Sequence, residues 1–147
     1  MHYELFKTVR GHAGRSRSTG FGSESLSFGP ISSAPRNEVP KLIKVLVEDA
    51  QRGCDEAGSA TGPARAERAL RHAAIIHARF IRIHPYEDGN GRVGRLLMNV
   101  ILVRLGFQPI AVEVAKQEYY EVINVFHRTG DSGPLFDLLL RLTTSAL

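Results

Sequence analysis

Residues Ile83–Arg95 read IHPYEDGNGRVGR. Two changes of chain direction are written into that stretch. Pro85 disfavours the helical region at the residue before it, so a helix arriving from upstream must stop at about Ile83. Gly89, Asn90 and Gly91 make a turn that suits small residues, and helical apolar periodicity resumes directly after them. The pattern predicts helix, short polar loop, helix.

The same stretch concentrates chemistry. Backbone N–H groups of Gly89, Asn90 and Gly91 lead into a helix whose positive end points back at them, which makes an anion site. Arg92 and Arg95 are three apart and share a face of the first turn. Two cations there oppose the helix dipole unless an anion lies between them, and polyphosphate is the obvious candidate. Asp88 beside the site is a sufficient protein ligand for Mg2+ when phosphate oxygens supply the rest. His84, at a helix end before a rigid proline, suits a general base near neutral pH. A bare polar turn with exposed arginines would have to produce all of these together by coincidence.

Upstream, Ala66, Leu70, Ala73, Ala74, His77, Phe80 and Ile81 mark a helix from near Ala64 to about Ile83. His77 on its apolar side reads as a core histidine. An earlier helix opens at Val39 with Pro40 in its first turn; Leu42, Ile43, Leu46, Val47 and Ala50 share one face. Gly53 and the run Gly58–Pro63 are expected to break it. Downstream, the helix Gly91–Leu105 is expected to bury Leu96, Leu97, Val100, Ile101 and Leu105, with Gly106 as its cap. Phe107–Val114 is a short apolar connection. Helices over about Lys116–Arg128 and Pro134–Thr144 follow, separated by the turn Thr129–Gly133.

Residues 11–37 are different: Gly, Ser, Pro and Arg dominate and helical periodicity is absent. Within them Gly20–Phe28 reads GFGSESLSF, where Leu26 and Phe28 alternate with Ser25 and Ser27. This is the period of a short strand, so a hairpin or extended flap stands against a plain loop. The whole predicts an all-α chain, an orthogonal helical bundle carrying one flap. It reads as a single domain over residues 1–147, with a flap and irregular region at 11–37 and a helical core at 39–144.

Composition narrows the function classes. The 147 residues carry 19 Lys+Arg against 15 Asp+Glu, a net charge of +4. That excess suits an anionic ligand without arguing for nucleic acid. Arg10, Arg15 and Arg17 read as a solvated basic stretch. Cys54 is the single cysteine, half-buried and unreactive by expectation, which fits a reducing, cytoplasmic setting. No apolar signal core follows Met1. The longest apolar run, Leu96–Val103, is interrupted by Asn99 and too short to span a bilayer, so a soluble protein with no membrane partner is expected.

The segment resembles the signature of the Fic family, His-Pro-Phe-x-Asp/Glu-Gly-Asn-Gly-Arg-x-x-Arg. His84, Pro85, Asp88, Gly89, Asn90, Gly91, Arg92 and Arg95 match, and Tyr86 keeps the ring of the phenylalanine. The likeness extends from about Val39 to Leu142. It implies a Fic-type helical bundle with a short β-hairpin before the core helices, and transfer of AMP from ATP to a Ser, Thr or Tyr hydroxyl of a target protein. On that resemblance His84 is the general base and Asp88 holds magnesium. Gly89, Asn90 and Gly91 bind phosphates, Arg92 and Arg95 hold the β- and γ-phosphates, and Tyr86 packs inward. Tyr120, of the pair Tyr119–Tyr120, stacks on the nucleotide base. A flap at about Arg17–Phe28 docks the target by strand addition. Glu87 is read as solvated, and His127 and Arg128 are left outside the site.

Two other functions stay open: transfer of a different group on the same fold (another nucleotide, phosphocholine or phosphate), and a non-catalytic binding module. Control is also part of the resemblance. Many Fic proteins carry an inhibitory Ser/Thr-x-x-x-Glu-Gly/Asn helix whose Glu pairs with the second motif arginine, here Arg95. No Glu in this sequence has Ser or Thr four positions earlier, and none precedes Gly or Asn. Inhibition is therefore expected from a separate antitoxin-like protein, from sequence outside these residues, or not at all.

Overall fold

The computed structural model describes residues 1–8, 13–19, 24–28 and 31–144. A short helix, α1 (His2–Phe6), opens the chain, and a hairpin of β1 (Ser27–Phe28) and β2 (Ile31–Ser32) follows. The core helices are α2 (Val39–Ser59), α3 (Pro63–Ile83), α4 (Asn90–Arg104), α5 (Lys116–Thr129) and α6 (Gly133–Thr144). The strands pair antiparallel with Ser27 opposite Ser32 and Phe28 opposite Ile31, so the hairpin alternative is the one realised. Among the described residues no helix is long and apolar enough to cross a membrane.

Helix α3 is the axis of the bundle and touches α2, α4, α5 and α6. Its sequence explains why. Ala69, Ala73, Ala74 and Ala78 are buried on it, and such small side chains let neighbours approach on several sides. Leu70, Ile76, Phe80, Ile81 and Ile83 supply the bulk between them.

Five expectations are corrected. Helix α2 runs straight through Gly53 to Ser59. A Cβ at position 53 would lie 2.1 Å from the His72 ring, so this glycine admits α3 rather than ending α2. On α4, Leu96, Val100 and Val103 are exposed, while Val93, Gly94, Met98, Ile101 and Leu102 face inward. The contact at Gly94, where a Cβ would meet His77 and Ile81 at 3.0–3.1 Å, sets that rotation. Val47 on α2 is likewise exposed. Finally, Arg17 is not solvated at all but completely buried, unlike exposed Arg15; Arg10 lies outside the described residues. The proposed flap thus does not start at Arg17 as an open segment, and its Gly20–Ser23 lies outside the described residues. Cys54 is more deeply buried than expected, and burial raises its thiol pKa.

Candidate active site

The ends of α3 and α4 meet at the loop His84–Gly89. His84 closes α3 in the left-handed region, with φ 51° and ψ 60°, and its N–H donates to the Phe80 carbonyl at 3.0 Å. It is the one non-glycine residue with positive φ among those described. Its Nδ1 lies 3.1 Å from the Ile81 carbonyl, an acceptor. That bond places the ring proton on Nδ1 and the lone pair on Nε2. Burial pushes the His84 pKa down, assisted by the nearby Arg17 charge and opposed by the Ile81 bond and the Glu87 and Asp88 carboxylates.

Asn90 pins the loop from inside. Its Oδ1 accepts the Tyr86 N–H at 3.1 Å and its Nδ2 donates to the Tyr86 carbonyl at 2.7 Å, with the residue 2% exposed. The side chain is thereby committed to the loop and does not line the cavity described below. From outside, His2 stacks on the Tyr86 ring at 3.9 Å between centroids. Gly14 N–H donates to His2 Nδ1 at 2.8 Å, so Nε2 carries the proton and donates to the Asp88 carbonyl at 3.0 Å. Gly89, φ 82°, caps α4 in a conformation that costs glycine nothing. Its N–H donates to Asp88 Oδ1 at 2.6 Å.

An open cavity of about 550 Å³ gathers most of the expected residues: His84, Asp88, Gly89, Gly91, Arg92, Arg95 and Tyr120. A Cβ on Gly91 would meet only the end of the Arg95 side chain, at 3.5 Å, so glycine keeps the space before Arg95 clear. Arg92 stands 3.9 Å from Asp88 Oδ2. The wall includes residues that sequence reading did not single out for the site: Val112, Val114 and Lys116. Asn99 puts them there. Its amide donates to the Ile110 carbonyl at 3.0 Å and accepts the Ile110 N–H at 2.8 Å, clamping the 107–114 connection to α4. Lys116 Nζ lies 5.6 Å from the centre of the exposed Tyr120 ring.

Tyr119 is the buried member of the tyrosine pair. Its hydroxyl is 2.6 Å from His77 Nε2, and its ring faces the Arg95 guanidinium at 6.0 Å. Burial raises the Tyr119 pKa to about 12 and lowers that of His77 to about 4. His77 is the core histidine expected, 1% exposed. An unfolded histidine titrates near 6.5, so the unfolded chain takes up the proton first as pH falls. The stability this histidine contributes is complete above about pH 6.5 and is lost between there and about pH 4. We expect this residue alone to cost about 2 kcal/mol between pH 7 and pH 5. Urea unfolding of wild type and His77→Gln would read it as a shallower pH slope in the variant. His84 and His127, also held low by burial, add in the same direction. His127 Nε2 reaches the Ala78 carbonyl at 2.8 Å, bonding α5 to α3 rather than facing the cavity.

Among the described residues no cluster of three or more His, Cys, Asp or Glu could hold a metal by itself. Among the described residues Asp88 is the one carboxylate in the cavity wall. That donor set does not suit a zinc site, but it fits magnesium, which keeps waters and takes most of its protein-side charge from bound phosphates.

A Fic/DOC family model matches residues 1–102, reaching into the N-terminal stretch where the sequence resemblance stopped at about Val39. A curated relative, protein adenylyltransferase Fic of Nematostella vectensis, is 41% identical over 75 residues, covering 50% of this chain and 17% of the relative. The chain therefore spans only about a sixth of that relative's length. The fold is similar to that of BepC, a VirB-translocated effector protein of Bartonella tribocorum crystallised with bound AMPPNP. The TM-score is 0.80 at 19% identity, over 96% of this chain and 70% of that one. A Fic family protein from Desulfovibrio desulfuricans G20 aligns at TM-score 0.70 and 27% identity, over 99% of this chain and 44% of that one. With the family model covering well over half of its residues and the bundle matching these structures, this chain belongs to the Fic/DOC family.

Proposed function

We propose that this chain, acting as one domain over residues 1–147, transfers AMP from ATP to a hydroxyl side chain of a target protein. The observation that carries the reading is the single cavity uniting His84, its lone pair on Nε2, with an α4 N-terminus, a carboxylate and two arginines. The name protein adenylyltransferase on a 41% identical relative supports the same group.

In this reading the target hydroxyl oxygen attacks the α-phosphorus of ATP and its proton passes to His84 Nε2. The new bond is oxygen to α-phosphorus; the bond broken joins the α-phosphorus to the oxygen bridging to the β-phosphate, and pyrophosphate leaves. The N–H groups of Asn90 and Gly91, with Arg92 and Arg95, hold the β- and γ-phosphates as charge builds on the leaving group, while Gly89, whose N–H donates to Asp88 Oδ1, shapes the turn ahead of them. Tyr120 packs on the base. Asp88 would hold magnesium, which when bound neutralises phosphate charge. The hairpin edge near β1 and β2 would receive the target strand.

Neutral His84 is the active form. Its lowered pKa means that the acid limb of the kcat/KM profile should lie below pH 6.5, with activity lost as pH falls through that limb. A limb above pH 6.5 would reassign the base.

Control would come from a separate small protein, from sequence outside these residues, or not at all; among the described residues no carboxylate lies within ion-pair distance of Arg95. Incubating the chain with labelled ATP, magnesium and a cell lysate, then analysing labelled bands by mass spectrometry, tests the reading. AMP on a Ser, Thr or Tyr supports it. A different nucleotide, phosphocholine or phosphate on the same side chains would favour the same fold with other group chemistry.

A further inference from the structure

We propose that Arg17 is the positioning residue of this site: its buried guanidinium holds His84 in its left-handed conformation and ties it to the hairpin ahead of the core helices. The inference rests on the reading of His84 as the base.

A guanidinium with no exposure to water is expensive unless its donors are all used well. Here they are spent on four backbone carbonyls from three separate segments. Nε donates to His84 at 2.7 Å and Nη2 to Ile83 at 3.1 Å, the last carbonyls of α3. Nη2 also donates to Ala34 at 2.9 Å and Nη1 to Glu24 at 3.0 Å, on either side of the hairpin. Arginine alone has five N–H donors in a rigid plane, and a lysine ammonium could not span this set.

Neighbouring atoms complete the same pattern. The Arg17 backbone N–H donates to the Pro85 carbonyl at 2.9 Å, Ser16 Oγ to that same oxygen at 3.2 Å, and Ala34 N–H to the Arg82 carbonyl at 3.1 Å. The carbonyls from Arg82 to Pro85, which a helix end leaves without intrahelical partners, are thus taken up by residues 16, 17 and 34. This matters at His84 because a left-handed histidine stores strain of order 1 kcal/mol or more and persists only where its surroundings over-determine it. The hairpin side is equally fixed. Ser33 N–H donates to the Leu26 carbonyl at 2.7 Å, and Leu26 N–H to Ser33 Oγ at 2.8 Å. A single side chain therefore connects the base of the hairpin to the backbone of the catalytic histidine.

Arg17 also adds charge. The charges that act on the His84 ring include Arg17 from the N-terminal segment and Glu87 and Asp88 from its own loop, and Arg92 and Arg95 of α4 line the same cavity. A cation here favours neutral imidazole, the form a base needs. Geometry and charge can be separated by two variants, because Arg17→Lys keeps the charge and loses the planar fork, while Arg17→Met loses both.

The experiment pairs transfer kinetics with NMR of the His84 ring nitrogens across pH in the full chain. For Arg17→Met we expect kcat to fall about 100-fold from a misplaced base, with KM for ATP within about twofold. Its His84 titration should move to higher pH. For Arg17→Lys we expect an intermediate loss of kcat, about tenfold, with the titration close to wild type. Folded variants that keep wild-type kcat and a wild-type His84 titration would overturn the inference. If Arg17→Met does not fold, Arg17→Lys decides: a wild-type kcat and an unchanged Nδ1–H tautomer would overturn it. Absence of AMP transfer by wild type would defeat the functional reading, and the NMR titration would still test Arg17.

Discussion

Replacing His84 with alanine is expected to lower AMP transfer by about 10² to 10⁴-fold, the usual worth of a positioned general base. ATP affinity should stay within a few-fold of wild type. The asymmetry follows from where the parts sit. The phosphate cradle belongs to the N-terminus of α4, and the loop before it is braced by Asn90 on the Tyr86 backbone and by His2 on the Asp88 carbonyl. None of those bonds uses the His84 ring. Its imidazole bonds back to Ile81, in its own helix, so its removal leaves the rest of the cavity wall in place. Single-turnover transfer measured beside nucleotide titration separates the two effects. Turnover close to wild type in a folded variant would remove His84 from the chemistry.

Asp88→Ala is expected to act on the other half of the site. Magnesium-dependent ATP binding should weaken by about tenfold or more, and kcat/KM by about 10²-fold, since the metal's charge stabilisation is worth several kcal/mol. Asp88 is the one carboxylate in the cavity wall among the described residues. Part of the loss is local: the carboxylate accepts the Gly89 N–H at 2.6 Å and faces Arg92, so alanine also loosens the start of α4. A magnesium titration distinguishes the two, because a purely local effect would weaken metal-free nucleotide binding equally. An unchanged titration would move the metal role to Glu87, the neighbouring carboxylate.

The motif was legible because its parts are consecutive. A helix stop, a small-residue turn and a helix start fix the directions of nearby side chains without any knowledge of the rest of the chain. The helices were legible for a similar reason, as periodicity is a local property. What stayed hidden depends on partners far away in sequence. Gly53 looks like a helix breaker until the His72 ring is placed against it. Asn99 looks like an interruption in an apolar run, yet its amide clamps Ile110 and so makes Val112 and Val114 a cavity wall. The outward face of α4 carries Leu96, Val100 and Val103, so apolar pattern alone did not reveal which side meets α3. Arg17 and His2 are the extreme cases. Their partners at the active loop are 67 and 86 residues away, and a basic stretch or an N-terminal histidine carries no local sign of such a bond.

Transfer of label from ATP discriminates most directly between AMP transfer and every other group. The chain is incubated with magnesium, a responsive lysate and ATP labelled at either the α- or the γ-phosphorus, with His84→Ala in parallel. The expected result is protein-bound label from α-labelled ATP only, absent in His84→Ala. Label retained from the γ-position, or α-label undiminished in the variant, would contradict AMP transfer with His84 as its base.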